Sequence, residues 1–413
     1  MDIEDTPEEA AFRAEARAWL ETHAIPKGHP DDFSRGFFTL AADWDRLDRQ
    51  ARAWQRHLFD GGWAGISYPK EYGGRGGTTI QELIFAQEMA RFGVHNGPFA
   101  VAHTMVGPAI LEFGTEDQRE RFIEPMLRGD EEWCQLFSEP GAGSDLASLT
   151  TRAVRDGDEW VVNGQKVWTS SADRCEWGIL LARTDPAAPR HRGITYFLLD
   201  MSTPGIDIRP LRQMTGDSHF SEVFLTDVRI PAANVLGGEA GVGNGWRAAM
   251  HTLANERNMI GSASADDDVV GLLALAREAG RTSDPLVRQE LARVHTAVSV
   301  LTYLGYRMQT ALSRGQPPGP ETSVLKLRYG QYLRHSTNLA KALLGAHGML
   351  DGEQGRWSGY FGYRFVWAPH SGIAGGTNEV QRNIIAERVL GLPGEPRPPA
   401  VQAAVPGPAT GDH

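Results

Sequence analysis

The order of hydrophobic patterns along the chain limits its fold more than any other feature. Apolar residues recur with a helical period up to about residue 128, alternate as in strands to about residue 240, and return to the helical period until about residue 393. This order predicts an α+β protein with an N-terminal all-α domain (1–128), a middle β-domain (129–240) and a C-terminal helical domain (241–393). The last segment, 394–413, is rich in Pro, Ala and Gly, which predicts a disordered tail.

Local signals sharpen this division. Thr6, Pro7 and Glu9 form the sequence signature of a helix N-terminus with a capping box. The dipeptides Asp156-Gly157 and Asn163-Gly164 each predict a hairpin turn between strands. Helical patterns are predicted over residues 44–58, 80–92 and 117–127, and then over 269–278, 286–307, 321–344 and 380–390.

Composition excludes several classes of function. The net charge of -11, with no basic block, argues against a nucleic acid partner. The longest stretch free of Asp, Glu, Lys and Arg, 94–111, is interrupted by prolines and glycines, so no transmembrane helix is predicted. The acidic N-terminus does not resemble an export signal. Cys134 and Cys175 lack metal-ligand spacing, and we expect a metal-free protein in the reducing cytoplasm.

Several short segments combine glycine with polar residues. The segment 138–145, taken alone, is as consistent with an elaborate turn as with a ligand-binding loop. Its position relative to the other segments is more specific, and together they resemble acyl-CoA dehydrogenases over residues 5–392. The segments that carry the resemblance are 72–74, 138–145, 163–170, 180–184, 227–231 and 376–382.

The resemblance implies an α-helical domain, a β-barrel and a four-helix bundle, with FAD held between the last two and partly by a neighbouring subunit. It also implies a homo-oligomer, either a dimer or a tetramer, and an electron-transfer flavoprotein as the electron acceptor. The FAD-binding residues that it implies are Phe137, Ser138, Gly143, Ser144, Trp168, Thr169, Ser170, Arg281, Gly345, Gly348, Thr377 and Glu379. The substrate-binding residues that it implies are Ser144, Leu253, Arg257 and Gly376.

The position of the catalytic base departs from the most familiar members of the family. Their glutamate precedes a Gly-Thr pair, where this chain has Gly375. A branch that includes isovaleryl-CoA and long-chain acyl-CoA dehydrogenases carries the glutamate on the first bundle helix before an arginine, which here matches Glu256 and Arg257. Glu256 also interrupts a predicted apolar stripe, and desolvation there would raise the pKa of a carboxylate toward the working pH. The stripe is predicted from Trp246, Ala249, Met250, Leu253 and Ile260.

These residues predict a reaction. Glu256 removes the α-proton of an acyl-CoA thioester while the β-hydrogen leaves as hydride to flavin N5, which yields a trans-2-enoyl thioester. By resemblance, the backbone N–H of Gly375 and a flavin ribityl hydroxyl polarise the thioester carbonyl. The alternative for Glu256 is a surface glutamate or an ion-pair partner.

Two other functions stay open. One keeps the fold but changes the chemistry or the carrier, as in a flavin oxidase, a monooxygenase or a dehydrogenase of carrier-bound acyl groups. The other is a non-catalytic subunit of a mixed oligomer. The second is suggested by altered motifs near Arg281 and Gly345, where contacts with an adjacent subunit's FAD are expected. For the acyl-CoA reading, branched, long and polycyclic acyl groups all remain possible.

Overall fold

A computed structural model describes residues 5–34, 44–261, 266–314, 316, 319, 322–350 and 354–394. Apart from residue 394, the predicted disordered tail lies outside the described residues. The fold class is confirmed, because a helical N-terminal part, a curled β-sheet and a helical C-terminal part follow one another along the chain.

The N-terminal part is a set of helices that enclose a core of aromatic and aliphatic side chains. The capping box predicted at Thr6 is confirmed, since Thr6 Oγ1 accepts from Glu9 N and the Glu9 carboxylate accepts from Thr6 N. Thr78 and Thr115 begin later helices in the same way. The helices are α1 Pro7–His23, α2 Trp44–Asp60, α3 Thr79–Met89, α4 Phe99–Val101, α5 Gly107–Phe113 and α6 Glu116–Arg128.

The middle part is one sheet with the strand order β1-β4-β2-β3-β7-β6, and β5 pairs with β4. Strands β4 and β5 are apolar and buried on both faces, whereas β7 alternates buried and partly exposed residues along part of its length. The strands are β1 Trp133–Leu136, β2 Arg152–Asp156, β3 Glu159–Ser170, β4 Trp177–Arg183, β5 Ile194–Asp200, β6 Ile206–Leu211 and β7 Phe220–Pro231.

The two predicted hairpin turns have different outcomes. Asp156-Gly157 does form a turn, because Asp156 pairs with Glu159 and Gly157 has a φ of 64°. The turn predicted at Asn163-Gly164 is wrong, since β3 continues through it and pairs with β7 on both sides of a bulge. Glycine is needed there for packing, because a Cβ on Gly164 would lie 2.7 Å from Thr151 Cα.

The C-terminal part is a helical bundle with its own apolar core. Its helices are α7 Gly245–Gly261, α8 Asp266–Glu278, α9 Pro285–Ser313, α10 Thr322–Leu344, α11 Tyr360–Trp367 and α12 Asn378–Ile384. A π-helical turn, Ile385–Val389, continues α12. Sequence analysis did not predict α11, which is short and lies between Gly359 and the turn at Pro369. Among the described residues, no helix is both long and apolar enough to cross a membrane.

A buried ion pair fastens the loop after β1 to strand β3. The Lys166 side chain is fully buried, and its Nζ donates to Glu139 Oε1 at 2.8 Å and to the Phe137 carbonyl at 3.1 Å. Glu139 also accepts from the backbone N–H groups of Thr150 and Thr151. Burial alone would raise the pKa of Glu139, but Lys166 and these hydrogen bonds outweigh it and lower the pKa to about 2.

Loss of one partner should therefore destabilise the protein strongly. Lys166→Met leaves the Glu139 carboxylate buried without its counter-charge, and we expect a loss of about 3–5 kcal/mol in the free energy of unfolding, measured by urea titration. The exposed Lys70 provides the control, with a change for Lys70→Met within about 0.5 kcal/mol. Equal midpoints for the two variants would contradict a structural role for the pair.

The same pair predicts a pH dependence. Because the pKa of Glu139 is lower in the folded chain than its ordinary value of 4.5, its contribution to stability is complete above pH 4.5 and is lost as the pH falls toward about 2. Glu139→Gln has no charge to lose, so its unfolding free energy should fall less steeply than that of the wild type over this interval. Parallel curves from urea titrations at several pH values would count against this assignment.

Candidate active site

Helix α7 carries the candidate base and lies directly on the sheet. At its first residue, a Cβ on Gly245 would lie 2.4 Å from Tyr196 N, so only glycine allows this approach to β5. Two turns further on, Thr252 is fully buried and its hydroxyl lies 3.2 Å from the Tyr196 hydroxyl. These contacts fix the rotation of α7 against the sheet.

The buried face of α7 differs from the predicted stripe. Gly245, Ala248, Ala249 and Thr252 are buried, whereas Met250 is 37% exposed, so its assignment to a buried stripe is wrong. The stripe is rotated because Gly245 fits against β5 where a larger residue would not. Glu256 lies one turn after Thr252 on this face and is half-buried, as is Leu253.

A glycine turn before α12 contains the second part of the candidate site. Gly375 and Gly376 have φ values of 65° and 88°, a conformation that favours glycine. Gln381 is fully buried and donates from Nε2 to the Gly375 carbonyl at 2.9 Å, and Thr377 caps the helix by accepting from Val380 N. In the part of the chain that is described, the Gly375 N–H donates to no protein acceptor.

Lys326 interacts with both helix α7 and the glycine turn before α12. Sequence analysis did not identify this residue. Its Nζ donates to the Gly376 carbonyl at 2.6 Å, and the charge of Glu256 on α7 acts on it. A signal was present, because Lys326 lies on the face of α10 that also buries Gly330, Leu333 and Thr337. A lysine in such a stripe is as unusual as the glutamate on α7.

Trp168 lies on the sheet, near the end of β3. Pairing with β7 is irregular between Lys166 and Thr169, and Trp168 has a positive φ of 64°, which an L-residue adopts only under local strain. The indole is consequently 59% exposed. A large aromatic face held out from a rigid strand suits stacking on a flat ring.

The residues after Trp168 divide between two faces. Ser170 is exposed like Trp168, whereas the Thr169 side chain is fully buried. Ser170 can therefore share a ligand with Trp168 through its hydroxyl. The Thr169 hydroxyl is buried and has no hydrogen-bond partner among the described residues.

The loop after β1 presents backbone donors. Phe137 is buried against Tyr196, and the half-buried Ser138 accepts from Val167 N through its carbonyl at 3.0 Å. Beyond it, Gly143 and Ser144 are exposed, and their N–H groups donate to no acceptor among the described residues. A Cβ on Gly143 would meet no atom within 4 Å, so this face of the loop is open.

Aromatic rings connect the sheet side of the candidate site to the bundle side. Trp168 lies edge-on to Phe220 at 6.0 Å, and Phe220 stacks on His370 at 5.7 Å between ring centroids. Burial lowers the pKa of His370 to about 4, and the charges of Lys326 and His219 act in the same direction. The candidate site thus gathers Trp168, His370, Lys326, Glu256 and the glycine turn.

Other predicted site residues lie outside this group. Arg281 is paired with Asp284, Gly345 is exposed after α10, and Gly348 is buried there. Glu379 extends from the start of α12 and pairs with Arg382. No contact among the described residues joins Arg281, Gly345 or Gly348 to Trp168 or Glu256, and their assignment to a cofactor remains a prediction. The side chain of Arg257 lies outside the described residues.

The chemistry of these groups fits FAD. An exposed indole provides a surface for the isoalloxazine ring, and the Ser170 hydroxyl with the N–H groups of Gly143 and Ser144 provides donors for a polar edge. The open side of Gly143 leaves room for a ligand to approach the backbone closely.

Comparison with known proteins places the chain in a family. Sequence profiles of the N-terminal, middle and C-terminal domains of acyl-CoA dehydrogenases match residues 6–130, 134–228 and 243–390. Acyl-CoA dehydrogenase IpdE1 of Mycobacterium tuberculosis is 38% identical over 394 residues, which cover 93% of this chain and 98% of that protein. Acyl-CoA dehydrogenase FadE34 of the same organism is 42% identical over 81% of this chain and 45% of its own length.

Solved structures agree with this placement. The Tcur3481-Tcur3483 steroid ACAD superposes with a TM-score of 0.81 at 30% identity and covers 96% of this chain and 100% of its own. The ChsE4-ChsE5 complex from Mycobacterium tuberculosis superposes with a TM-score of 0.77 at 31% identity, over 95% of this chain and 100% of its own. The chain therefore belongs to the acyl-CoA dehydrogenase family, and it is an oxidoreductase with FAD as its cofactor.

Proposed function

We propose that this protein removes the α- and β-hydrogens of an acyl-CoA thioester, with Glu256 as the base. One observation carries the proposal: Glu256 on α7 and the Gly375–Gly376 turn both neighbour the buried Lys326. The two elements that neighbour Lys326 thus supply a carboxylate and an N–H donor, the two groups that removal of a proton next to a carbonyl requires.

The residues divide the work between base and carbonyl binding. Glu256 takes the α-proton, so negative charge develops on the thioester oxygen. The Gly375 N–H, which donates to no described protein atom, is available to that oxygen. FAD, when bound, accepts the β-hydrogen as hydride. The product is a trans-2-enoyl thioester, and we propose an electron-transfer flavoprotein as the final acceptor.

Because Gly375 lacks a side chain, it cannot serve as the base, yet its backbone keeps the donor. The positive φ of 65° at Gly375 makes glycine the least strained residue there. The base and the oxyanion donor can therefore lie on different elements, α7 and the turn before α12.

For the acyl group we propose a polycyclic, steroid-like structure. The support is the similarity to the Tcur3481-Tcur3483 steroid ACAD, which extends over nearly the whole chain. Branched and long linear acyl groups are the alternatives. A panel of thioesters that includes all three classes separates them.

Replacement of the base provides the principal test. In Glu256→Gln the amide cannot accept the α-proton, and we expect the rate of anaerobic flavin bleaching by acyl-CoA to fall at least about 100-fold. The exposed Glu120 supplies the matched control, with Glu120→Gln at the wild-type rate. Stopped-flow absorbance of bound FAD is the measurement.

The same experiment identifies errors in the proposal. A wild-type rate in Glu256→Gln would disprove the base assignment. Bleaching that is fastest with linear thioesters would disprove the steroid-like substrate. Rapid reaction of the reduced flavin with oxygen would instead favour the oxidase alternative.

We also propose that the chain assembles with a second, related chain. The family resemblance implies that Arg281 contacts the FAD of a neighbouring subunit. Here Arg281 forms an ion pair with Asp284, with Nη2 and Oδ2 2.6 Å apart. Two similar structures, Tcur3481-Tcur3483 and ChsE4-ChsE5, each pair two differently named chains. A partner chain would then complete the FAD contacts.

Native mass spectrometry tests this assembly. The chain purified alone should hold less than one FAD per chain, and co-expression with a related acyl-CoA dehydrogenase from the same organism should raise FAD content in a particle that contains both chains. A co-expressed chain from an unrelated flavoprotein serves as the control. A homo-oligomer with one FAD per chain would contradict the mixed assembly.

A further inference from the structure

Lys326 is a charged residue where the fold leads us to expect an apolar one. It lies near the start of α10 and is 0% exposed, on the same face as the buried residues Gly330, Leu333 and Thr337. Burial of an ammonium group is costly unless the charge is balanced and its N–H groups are hydrogen-bonded. Its neighbours therefore indicate what the charge does.

The first neighbour is the glycine turn. Lys326 Nζ donates to the Gly376 carbonyl at 2.6 Å. Gln381 Nε2 donates to the Gly375 carbonyl at 2.9 Å and to the Gly376 carbonyl at 3.4 Å. Two buried side chains thus form hydrogen bonds to both carbonyls of the turn. The glycines themselves have no side chains that could fix the conformation of the turn. With its carbonyls held, the peptide planes of the turn have a defined orientation.

The second neighbour is the candidate base. Burial lowers the pKa of Lys326, while the charges of Glu256 and Glu379 act to raise it. Glu256 lies on α7 and Glu379 at the start of α12, and α10, which carries Lys326, packs against both helices. The charge of Lys326 also acts on His370. Burial, together with this charge, lowers the pKa of His370 to about 4, so this side chain is neutral at pH 7.

We propose that Lys326 is a positioning residue for the dehydrogenation: it orients the Gly375–Gly376 turn through the Gly376 carbonyl, and it supplies a positive charge to Glu256 from α10, which packs against α7. This inference rests on the proposed function. It assigns to one ammonium group two effects that act on different parts of the thioester. The orientation of the turn acts at the carbonyl oxygen, and the charge acts on the base that meets the α-proton.

Three substitutions separate the two effects. Lys326→Met removes both the charge and the donor, Lys326→Gln keeps a donor without the charge, and Lys326→Arg keeps the charge. The exposed Lys70 gives a matched control for loss of a lysine, through Lys70→Met. All are measured as purified holoenzyme, with the rate of flavin bleaching at saturating acyl-CoA followed from pH 5 to pH 10.

The pH profile reports on the charge. Without a nearby cation Glu256 is harder to ionise, so the acidic limb of the profile should move to higher pH by about one unit or more in Lys326→Met and Lys326→Gln. It should stay in place in Lys326→Arg and Lys70→Met. The rate on the high-pH plateau reports on the turn, and it should fall at least 10-fold in Lys326→Met but less in Lys326→Gln.

A lysine with a purely structural role would lower thermal stability and leave the profile in place. Superposition of the Lys326→Met and Lys326→Gln profiles on the wild-type profile would therefore overturn the inference. A displaced acidic limb in Lys326→Arg would do the same, because that variant retains the charge.

A second measurement does not depend on turnover. The melting temperatures of Glu256→Gln, Lys326→Met and the double variant form a cycle, and a direct effect of one charge on the other predicts that the double variant loses less than the sum of the single losses. Additive losses would overturn the inference even if the enzyme oxidises acyl-CoA. If no acyl-CoA bleaches the wild-type flavin, the proposed function fails, and the cycle alone decides whether Lys326 acts on Glu256.

Discussion

The contact between α7 and strand β5 is the constraint on which the rest of the site depends. Gly245 brings the helix against the β5 backbone where no side chain fits, and the Thr252 and Tyr196 hydroxyl groups meet two turns later. Because these contacts fix the rotation of the helix, Glu256 lies half-buried on the same face, one turn after Thr252. The position of a possible base is therefore decided by packing one to three turns before it.

Buried lysines orient two of the glycine-containing segments. Lys166 and Glu139 hold the loop that leads to Gly143, and Lys326 holds the turn at Gly376. Glycine permits close approach of a ligand but gives a segment conformational freedom. A buried charged group that bonds the backbone nearby restricts that freedom, and its burial is tolerated because the partners are fixed.

Much of the fold could be predicted from local signals. The capping box at Thr6 and the turn at Asp156-Gly157 depend on neighbouring residues only, and both are present. Asn163-Gly164 has the same local signal, but the turn predicted there is wrong, because β3 pairs with β7 on both sides of this dipeptide. The predicted burial of Met250 is wrong for a similar reason, since the rotation of α7 is set by β5 and not by the hydrophobicity of the helix alone.

The sequence by itself determined the family, because the family depends on residue types at ordered positions. It also showed a glycine at residue 375, where the familiar members carry the catalytic glutamate, and a glutamate at residue 256. Only the tertiary structure decided that Thr169 is buried while Trp168 is exposed, and that Lys326 bonds the glycine turn while the charge of Glu256 acts on it. The physical reason is distance along the chain. Periodicity shows that a helix face is buried, but the group it meets is chosen by the packing of elements far apart in sequence.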